Sequence, residues 1–299
     1  MRALITGGAG FIGSHIAERL IAEGHDVTVL DNLATGRQEN VPLAARFIFE
    51  DIRRPQSLPG PWDVIYHCAA TYADPSAWEV DAQTNVVGTI NVVREALSSG
   101  ARLVYFQTSL CYGLSPASPV RLDAPLAPKG SYAVSKTAGE SYVRGSGVDF
   151  VSLRLANMYG PRNLSGPVPT FYKRLAAGEP CTVVDSRRDF VFVDDLVDVA
   201  VKAATQGSGI YHVGSGADCP IIVLYDLVRK AMGLEQDNEV GIKPRGPDDA
   251  ATILLDPTRT EAEFGWRAST SLGDGIRRAV EWYRANGVQR TYTHLEMVR

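Results

Sequence analysis

The stretch Thr6-Gly7-Gly8-Ala9-Gly10-Phe11-Ile12-Gly13 decides the fold of this chain, because it has the pattern of a strand, a glycine turn and a helix. In such a turn Gly7 permits the tight bend, Gly10 lets the backbone approach a ligand, and Gly13 lets the helix pack closely on the strand. Phe11 and Ile12 begin the helix, whose N-terminal amide groups attract phosphate oxygens. The stretch therefore predicts a binding site for a pyrophosphate group.

A carboxylate follows at the spacing that a dinucleotide site requires. A second strand-like run, Asp26-Val27-Thr28-Val29-Leu30, ends in Asp31, 18 residues after Gly13. An acidic side chain at this place accepts a hydrogen bond from the adenosine ribose. Its charge disfavours the 2′-phosphate of NADP, although Arg37 follows a few residues later. We therefore expect NAD as the cofactor.

The composition excludes several classes of function. The 299 residues are 45% hydrophobic and 21% charged, with a net charge of −4, which is typical of a globular protein and gives no polybasic signature. We expect no nucleic-acid partner and no membrane partner. The sequence shows no targeting segment and no apolar stretch of membrane-spanning length, so we expect a cytoplasmic protein. The four cysteines stand singly, without the spacing of metal ligands, and we expect no metal site.

The first half of the chain alternates short apolar strands with amphipathic helices, which predicts an α/β fold with a doubly wound, Rossmann-type parallel sheet. One such helix, 82–99, carries a stripe formed by Val86, Ile90, Val93 and Leu97. Beyond residue 156 the alternation loosens, and stretches 163–178 and 241–250 look like a loop with a short helix. In chain order, the predicted domains are an NAD-binding domain at 1–160, to which 189–216 returns, a smaller substrate domain at 161–188 and 217–290, and a polar, mobile tail at 291–299.

Tyr132 and Lys136 form a Tyr-x-x-x-Lys pair, and on a helix this spacing puts both side chains on one face. A free tyrosine has a pKa of about 10 and is a poor base at neutral pH. A neighbouring ammonium and a positive nicotinamide favour the phenolate, and a pKa of about 7 requires roughly 4 kcal/mol of such stabilisation. A hydroxyl that could fix the position of the reacting oxygen follows the strand that ends at Phe106, at Thr108 or Ser109.

These motifs together resemble the extended short-chain dehydrogenase/reductases, and within them the NAD-dependent nucleotide-sugar epimerase/dehydratase family. The resemblance covers residues 1–286 and keeps the order of the family's motifs. The further motifs that carry it are Asp31-Asn32-Leu33, Asp51-Ile52-Arg53, His67-Cys68-Ala69-Ala70, Asn85-Val86-Val87-Gly88-Thr89, Tyr112-Gly113, Arg154–Arg162, Arg188–Asp195 and Tyr211–Gly216.

The resemblance implies a role for each matched residue. Tyr132 would be the catalytic base, Lys136 its electrostatic partner and a ligand of the nicotinamide ribose, and Thr108 the hydroxyl that bonds the substrate, with Ser109 as the fallback. The remaining implied cofactor contacts are Asn32, Gly36, Asp51, Ile52, Ala69 and Ala70. The remaining implied contacts to the sugar nucleotide are Asn157, Arg188 and Arg245.

The residues after Thr108 distinguish the reactions of the family. Its 4,6-dehydratases carry Asp-Glu there, and its uronate decarboxylases carry Glu at the second position, whereas this chain has Ser109-Leu110. Without an acid for elimination, the resemblance favours 4-epimerisation with recycling of NAD. The alternatives are a dehydratase or decarboxylase with displaced carboxylates, a reductase, and, from another class, a non-catalytic NAD-binding regulatory protein. A Tyr132→Phe substitution would distinguish the regulatory protein from an enzyme, because a protein that only binds NAD needs no tyrosine base.

The resemblance also limits the substrate and the assembly. The position that restricts the sugar's 2-substituent falls at Thr252 or Ile253, both smaller than the tyrosine of hexose-restricted relatives, so we expect an N-acetyl hexose to be tolerated. A uronate is also possible. Uridine is the expected base, although the turn before Arg188 is shorter than in the family. Helices 82–99 and 131–145 would form a homodimer interface.

Overall fold

The computed structural model describes residues 1–54, 60–72, 74–114, 118–234, 240–246, 249–288 and 290–292. The strands, numbered along the chain, are β1 (Arg2–Thr6), β2 (Asp26–Asp31), β3 (Arg46–Phe49), β4 (Val64–His67), β5 (Arg102–Thr108), β6 (Phe150–Leu155), β7 (Asn157–Tyr159), β8 (Thr182–Val184), β9 (Arg187–Phe192), β10 (Gly209–Val213), β11 (Asp218–Pro220), β12 (Gly241–Lys243) and β13 (Thr252–Ile253). The α-helices are α1 (Phe11–Ala22), α2 (Trp78–Asp81), α3 (Thr89–Ser99), α4 (Ser131–Gly145), α5 (Pro167–Ala176), α6 (Val193–Ala203), α7 (Ile221–Ala231), α8 (Thr258–Phe264) and α9 (Leu272–Asn286).

Within these residues seven parallel strands form the central sheet, in the order β3-β2-β1-β4-β5-β6-β10. Its inner strands are almost fully buried, because helices cover both faces and the sequence supplies continuous apolar runs such as Ala3-Leu4-Ile5, whereas the edge strand β3 is partly exposed. The strand order reverses beside β1, and in open α/β sheets the crevice at this place binds the ligand. The fold is the predicted doubly wound, Rossmann-type architecture.

The helix that the sequence places at 82–99 is longer and contains an irregularity. The chain is helical from Trp78 to Ser99, and the middle segment, Ala82–Gly88, is π-helical. The extra residues of a π segment rotate the faces that precede and follow it. Of the predicted apolar stripe, Val93 is buried, whereas Leu97 is 49% exposed.

A smaller sheet surrounds β9, which pairs with β7 and β13 in parallel and with β11 in antiparallel orientation. The stretch 189–216 thus contributes to both sheets, since β10 lies at the edge of the central one. The short helix expected in 163–178 is present as α5. The described part of 241–250 contains instead a strand, β12, which pairs with β8.

The last described residues depart from the expected mobile tail. The amide of Tyr292 donates to the carbonyl oxygen of Leu164 at 2.9 Å, and the hydroxyl of Ser165 donates to the carbonyl oxygen of Tyr292 at 3.3 Å. Residues 293–299 of the predicted tail lie outside the described residues. The division of the chain into a cofactor domain and a substrate domain stays a prediction. No helix among the described residues is long and apolar enough to span a membrane.

Candidate active site

The carboxyl ends of β1, β4 and β5 open into a long cleft of about 900 Å³ that reaches α5 and the small sheet. Among the residues described, Lys136 is buried behind the wall of the cleft and Arg245 is exposed outside it. The other predicted site residues all line the cleft: Gly7, Gly10, Phe11, Ile12, Gly13, Asp31, Asn32, Gly36, Asp51, Ile52, Ala69, Ala70, Thr108, Ser109, Tyr132, Asn157 and Arg188.

The glycine turn is tightly constrained, as the sequence predicts. Gly7 has a φ of 68°, and a Cβ there would lie 2.6 Å from the amide nitrogen of Ala69. A Cβ on Gly13 would lie 2.5 Å from the carbonyl oxygen of Gly7. Gly10 forms the N-cap of α1 without a side chain, so the first amide groups of the helix face the cleft. The turn fits a pyrophosphate, which the dipole and the free amides of a helix N-terminus attract.

Asp31, at the end of β2, is hydrogen-bonded to this turn. Its Oδ2 accepts the amide of Ala9 at 3.0 Å, and its Oδ1 accepts the amide of Leu33 at 2.8 Å. Burial raises the pKa of Asp31, and these two hydrogen bonds oppose that rise. Each carboxylate oxygen keeps a further lone pair that a ribose hydroxyl can reach. The observed geometry therefore fits the unphosphorylated adenosine ribose of NAD.

Asp51 is fixed in the same region. Asn32 donates to its Oδ2 at 3.1 Å, and Arg53 donates to both of its oxygens. These bonds, chiefly those from Arg53, lower the pKa of Asp51 to about 2, so it is ionised at neutral pH. Ile52 is buried beside it, and its side chain fills the space that a Cβ on Gly88 would occupy.

Tyr132 and Lys136 lie in the first turns of α4, and burial changes the pKa of both. It raises the pKa of Tyr132 above the ordinary value and lowers that of Lys136 to about 7. The ammonium Nζ lies 4.1 Å from the centre of the Tyr105 ring, and the negative face of that ring favours the charged form. In the ligand-free cleft the tyrosine is therefore a neutral phenol, and a second positive charge is needed to make it a base.

Thr108 ends β5 next to these residues. Its Oγ1 accepts the amide of Leu110 at 3.2 Å, which leaves the hydroxyl hydrogen free to donate. Gln107 accepts the amide of Thr108 through Oε1 at 2.8 Å and donates through Nε2 to the carbonyl oxygen of Lys136 at 3.0 Å. This buried side chain holds the end of β5 against α4. Sequence reasoning missed it, because a glutamine at a strand end carries no chemical signature.

The segment after β4 places a second tyrosine, Tyr72, beside Tyr132. The ring of Tyr72 lies 6.0 Å from the ring of Tyr132, in an edge-to-face arrangement. The preceding residue, Thr71, is anchored by the side chains of Asn85 and Asp81, both of which are buried. Tyr72 was not predicted from the sequence.

The far end of the cleft carries the predicted arginine. Arg188 forms an ion pair with Asp249, and both side chains are 11% exposed. Burial lowers the pKa of Arg188, and nearby Arg245 lowers it further, but a guanidinium stays charged at neutral pH. Asn157 also lines the cleft, and its side-chain amide donates to the carbonyl oxygen of Asp189 at 3.1 Å. Arg245 itself is exposed, because it follows the exposed strand β12.

Two apolar residues, Leu110 and Ile253, line the cleft at positions that the sequence singled out. Leu110 lines the cleft beside Thr108, where an acid would stand in an elimination site. Ile253 also lines it, whereas the hydroxyl of Thr252 donates to Asp218 at 2.9 Å and does not face the cleft. Of the two positions that the sequence left open, Ile253 lines the cleft, and its role toward the sugar stays a prediction.

Comparison with known proteins agrees with this geometry. The chain matches the NAD dependent epimerase/dehydratase family over residues 3–214. A UDP-glucose 4-epimerase of Mycolicibacterium smegmatis is 35% identical, over 95% of this chain and 99% of its own. The Bordetella bronchiseptica enzyme WbmH, in complex with NAD⁺, is 45% identical over 96% of this chain and 99% of its own, with a TM-score of 0.90. The enzyme WbmG from the same organism, in complex with NAD and UDP, is 40% identical over 99% of both chains, also with a TM-score of 0.90.

Proposed function

The chain belongs to the NAD dependent epimerase/dehydratase family, and from this premise we propose that it is an NAD-dependent nucleotide-sugar 4-epimerase. The observation that carries the proposal is the combination of Thr108, Tyr132 and Lys136 with an apolar residue, Leu110, at the wall of the cleft. The first three residues supply the chemistry of oxidation, and the fourth supplies no acid for loss of water.

In this proposal the glycine turn and Asp31 would hold NAD⁺, which would supply the acceptor for the hydride from carbon 4 of the sugar and the donor for its return to the other face of that carbon. Tyr132 takes the proton of the 4-hydroxyl group and gives it back to the epimer. Lys136, buried behind it, stabilises the phenolate and holds the nicotinamide ribose. Thr108 donates its free hydroxyl hydrogen to the same sugar oxygen and so fixes its position. Because the proton and the hydride both return, the reaction needs no external oxidant.

The two ends of the cleft would hold the two nucleotides. The glycine turn and Asp31 would bind the dinucleotide, while Arg188 would bind the diphosphate of the sugar nucleotide, since a guanidinium fork suits phosphate oxygens. UDP is the proposed carrier, because UDP is bound in the crystal structure of the 40% identical WbmG. Ile253 leaves more room than a tyrosine, which supports an N-acetyl hexose as a substrate.

We also propose a homodimer built on the α2–α3 and α4 helices. Four apolar side chains on these helices are between 45% and 52% exposed: Val87, Leu97, Val134 and Tyr142. A contiguous apolar surface on a globular protein marks an interaction site. Sedimentation at micromolar protein should give twice the mass of the chain, and a monomeric mass would contradict this assignment.

The function is tested by incubating the protein with a panel of UDP- and dTDP-hexoses, N-acetylhexosamines and uronates, without added NAD and then with it. A stereoisomer of unchanged mass, detected by proton NMR, is the expected product. Loss of water or carbon dioxide would assign the chain to the dehydratases or decarboxylases instead.

Tyr132→Phe should reduce turnover at least about 1000-fold. The control is Tyr142→Phe, at an exposed position of the same helix, which should keep full activity.

A further inference from the structure

Three tyrosines from distant parts of the chain stand in a row across the cleft. The ring of Tyr72 lies 6.0 Å from that of Tyr132 and 6.3 Å from that of Tyr292, and both contacts are edge-to-face. All three residues line the cleft. Tyr72 thus stands between the proposed base and the C-terminal segment, with aromatic contacts on both sides.

One side of this row is rigid. Thr71 exchanges two hydrogen bonds with the side chain of Asn85, at 2.9 and 3.0 Å, and its hydroxyl donates to Asp81 at 2.7 Å. Asn85 also donates to Ser135 on α4 at 3.0 Å. The turn that carries Tyr72 is therefore fixed to the same helix that carries the proposed base. Burial raises the pKa of Tyr72 to about 12, so its phenol is neutral.

The other side of the row is held mainly by main-chain atoms. The amide of Tyr292 donates to Leu164, and its carbonyl oxygen accepts from the hydroxyl of Ser165 and the amide of Gly166. The Arg290 guanidinium lies 5.2 Å from the centre of the Tyr292 ring. Leu164, Ser165 and Gly166 are themselves part of the cleft wall. Residues 291 and 292 therefore line the cleft and are held there by main-chain hydrogen bonds in addition to the ring contacts of Tyr292.

We propose, resting on the function above, that the rings of Tyr72 and Tyr292 close the cleft beside Tyr132 and retain the oxidised sugar between the two hydride transfers. A 4-epimerase oxidises the sugar to a ketone and reduces NAD⁺ to NADH in its first step. If the ketone leaves before the hydride returns, the protein keeps NADH and cannot start another cycle. A closed aromatic wall prevents this loss, because the sugar must displace a packed ring to escape.

The inference is tested by comparing the unaltered protein with Tyr72→Ala, Tyr292→Ala and the matched variants Tyr72→Phe and Tyr292→Phe. The epimer is followed by NMR and protein-bound NADH by its absorbance at 340 nm, in the same sample. We expect both alanine variants to accumulate NADH about 10-fold faster per epimer formed, and to release the keto sugar, whereas both phenylalanine variants behave as the unaltered protein.

Alanine variants that epimerise without additional NADH would overturn the inference, and so would phenylalanine variants that leak as much as the alanine ones. These results leave the proposed function intact. An unaltered protein that forms neither epimer nor NADH with any nucleotide sugar would overturn the proposed function itself, and the inference with it. Because the main-chain bonds of residue 292 do not depend on its ring, Tyr292→Ala should retain the thermal stability of the unaltered protein.

Discussion

Gln107 donates through Nε2 to the main-chain carbonyl oxygen of Lys136 at 3.0 Å, and so joins the end of β5 to the helix of the proposed base. The same side chain accepts the amide of Thr108. The two elements that carry the proposed chemistry are thus positioned by one buried amide. The hydroxyl of Tyr105 donates to the same carbonyl oxygen at 2.9 Å, so this acceptor keeps a partner when Gln107 is replaced.

Replacement of Gln107 by leucine should therefore affect the rate more than the fold. We expect kcat to fall about 10- to 100-fold, because small misplacements of reacting groups are costly, while KM changes less than about 3-fold. Steady-state kinetics on the substrate found in the panel measures both. The control is Gln83→Leu, at an exposed position of the π-helical segment. An equal fall in kcat for both variants would contradict the positioning role of Gln107.

Arg187 and Arg188 provide a matched pair of neighbours with different surroundings. Arg188 lines the cleft and is 11% exposed, whereas Arg187 is 49% exposed and pairs with Asp218. We expect Arg188→Ala to raise KM about 10- to 100-fold with little change in kcat, because a contact to the diphosphate is equally strong in the ground state and the transition state. Arg187→Ala should leave both constants unchanged. Initial rates over a wide substrate range decide this, and equal effects of the two variants would remove Arg188 from the diphosphate site.

Local spacing was sufficient to predict the cofactor end of the cleft. The glycine turn and Asp31 belong to one β-α-β unit, and the spacing of Tyr132 and Lys136 is that of one helical turn, so their chemistry can be predicted without tertiary information. The role of Leu110 could also be predicted from the sequence, because Leu110 lies only two residues after Thr108. These predictions depend on residues that lie within one helix, one turn or one β-α-β unit.

Contacts between distant segments could not be predicted. Asp249 lies 61 residues from its partner Arg188, and nothing in either stretch indicates the pairing. The docking of Tyr292 was missed because a polar C-terminal stretch resembles a mobile tail. The π segment within helix 82–99 was not predicted, because such a segment leaves no clear signal in hydrophobic periodicity.

Lys136 should reduce the stability of the ligand-free protein. Its pKa falls from 10.5 to about 7 on folding, so the unfolded chain binds the proton more tightly and stability decreases as the pH falls from about 10.5 to about 7. We expect Lys136→Met to stabilise the ligand-free protein by roughly 1–2 kcal/mol at pH 7 and to abolish turnover.

The pH dependence separates this effect from simple repacking. The advantage of Lys136→Met should decrease as the pH rises toward 10, where the lysine is increasingly neutral in both states. Urea unfolding at pH 7 and pH 9.5 measures the difference. A methionine variant that is less stable by the same amount at both pH values would show that the ammonium is better accommodated than its burial indicates.

Gly13 tests whether the glycine turn binds the dinucleotide. A Cβ there would lie 2.5 Å from the carbonyl oxygen of Gly7 and 2.7 Å from the Cα of Gly8, both of them main-chain atoms that cannot move without opening the turn. Gly13→Ala should therefore weaken NAD binding at least about 10-fold, since the amide groups at the start of α1 would no longer converge on the pyrophosphate.

Gly273→Ala is the control, because its Cβ would meet nothing within 4 Å. That variant should keep its NAD and gain up to about 1 kcal/mol of stability from the higher helix propensity of alanine. The NAD content of the purified variants and calorimetric titration with NAD measure the outcome, and full NAD binding by Gly13→Ala would show that the pyrophosphate is held elsewhere in the cleft.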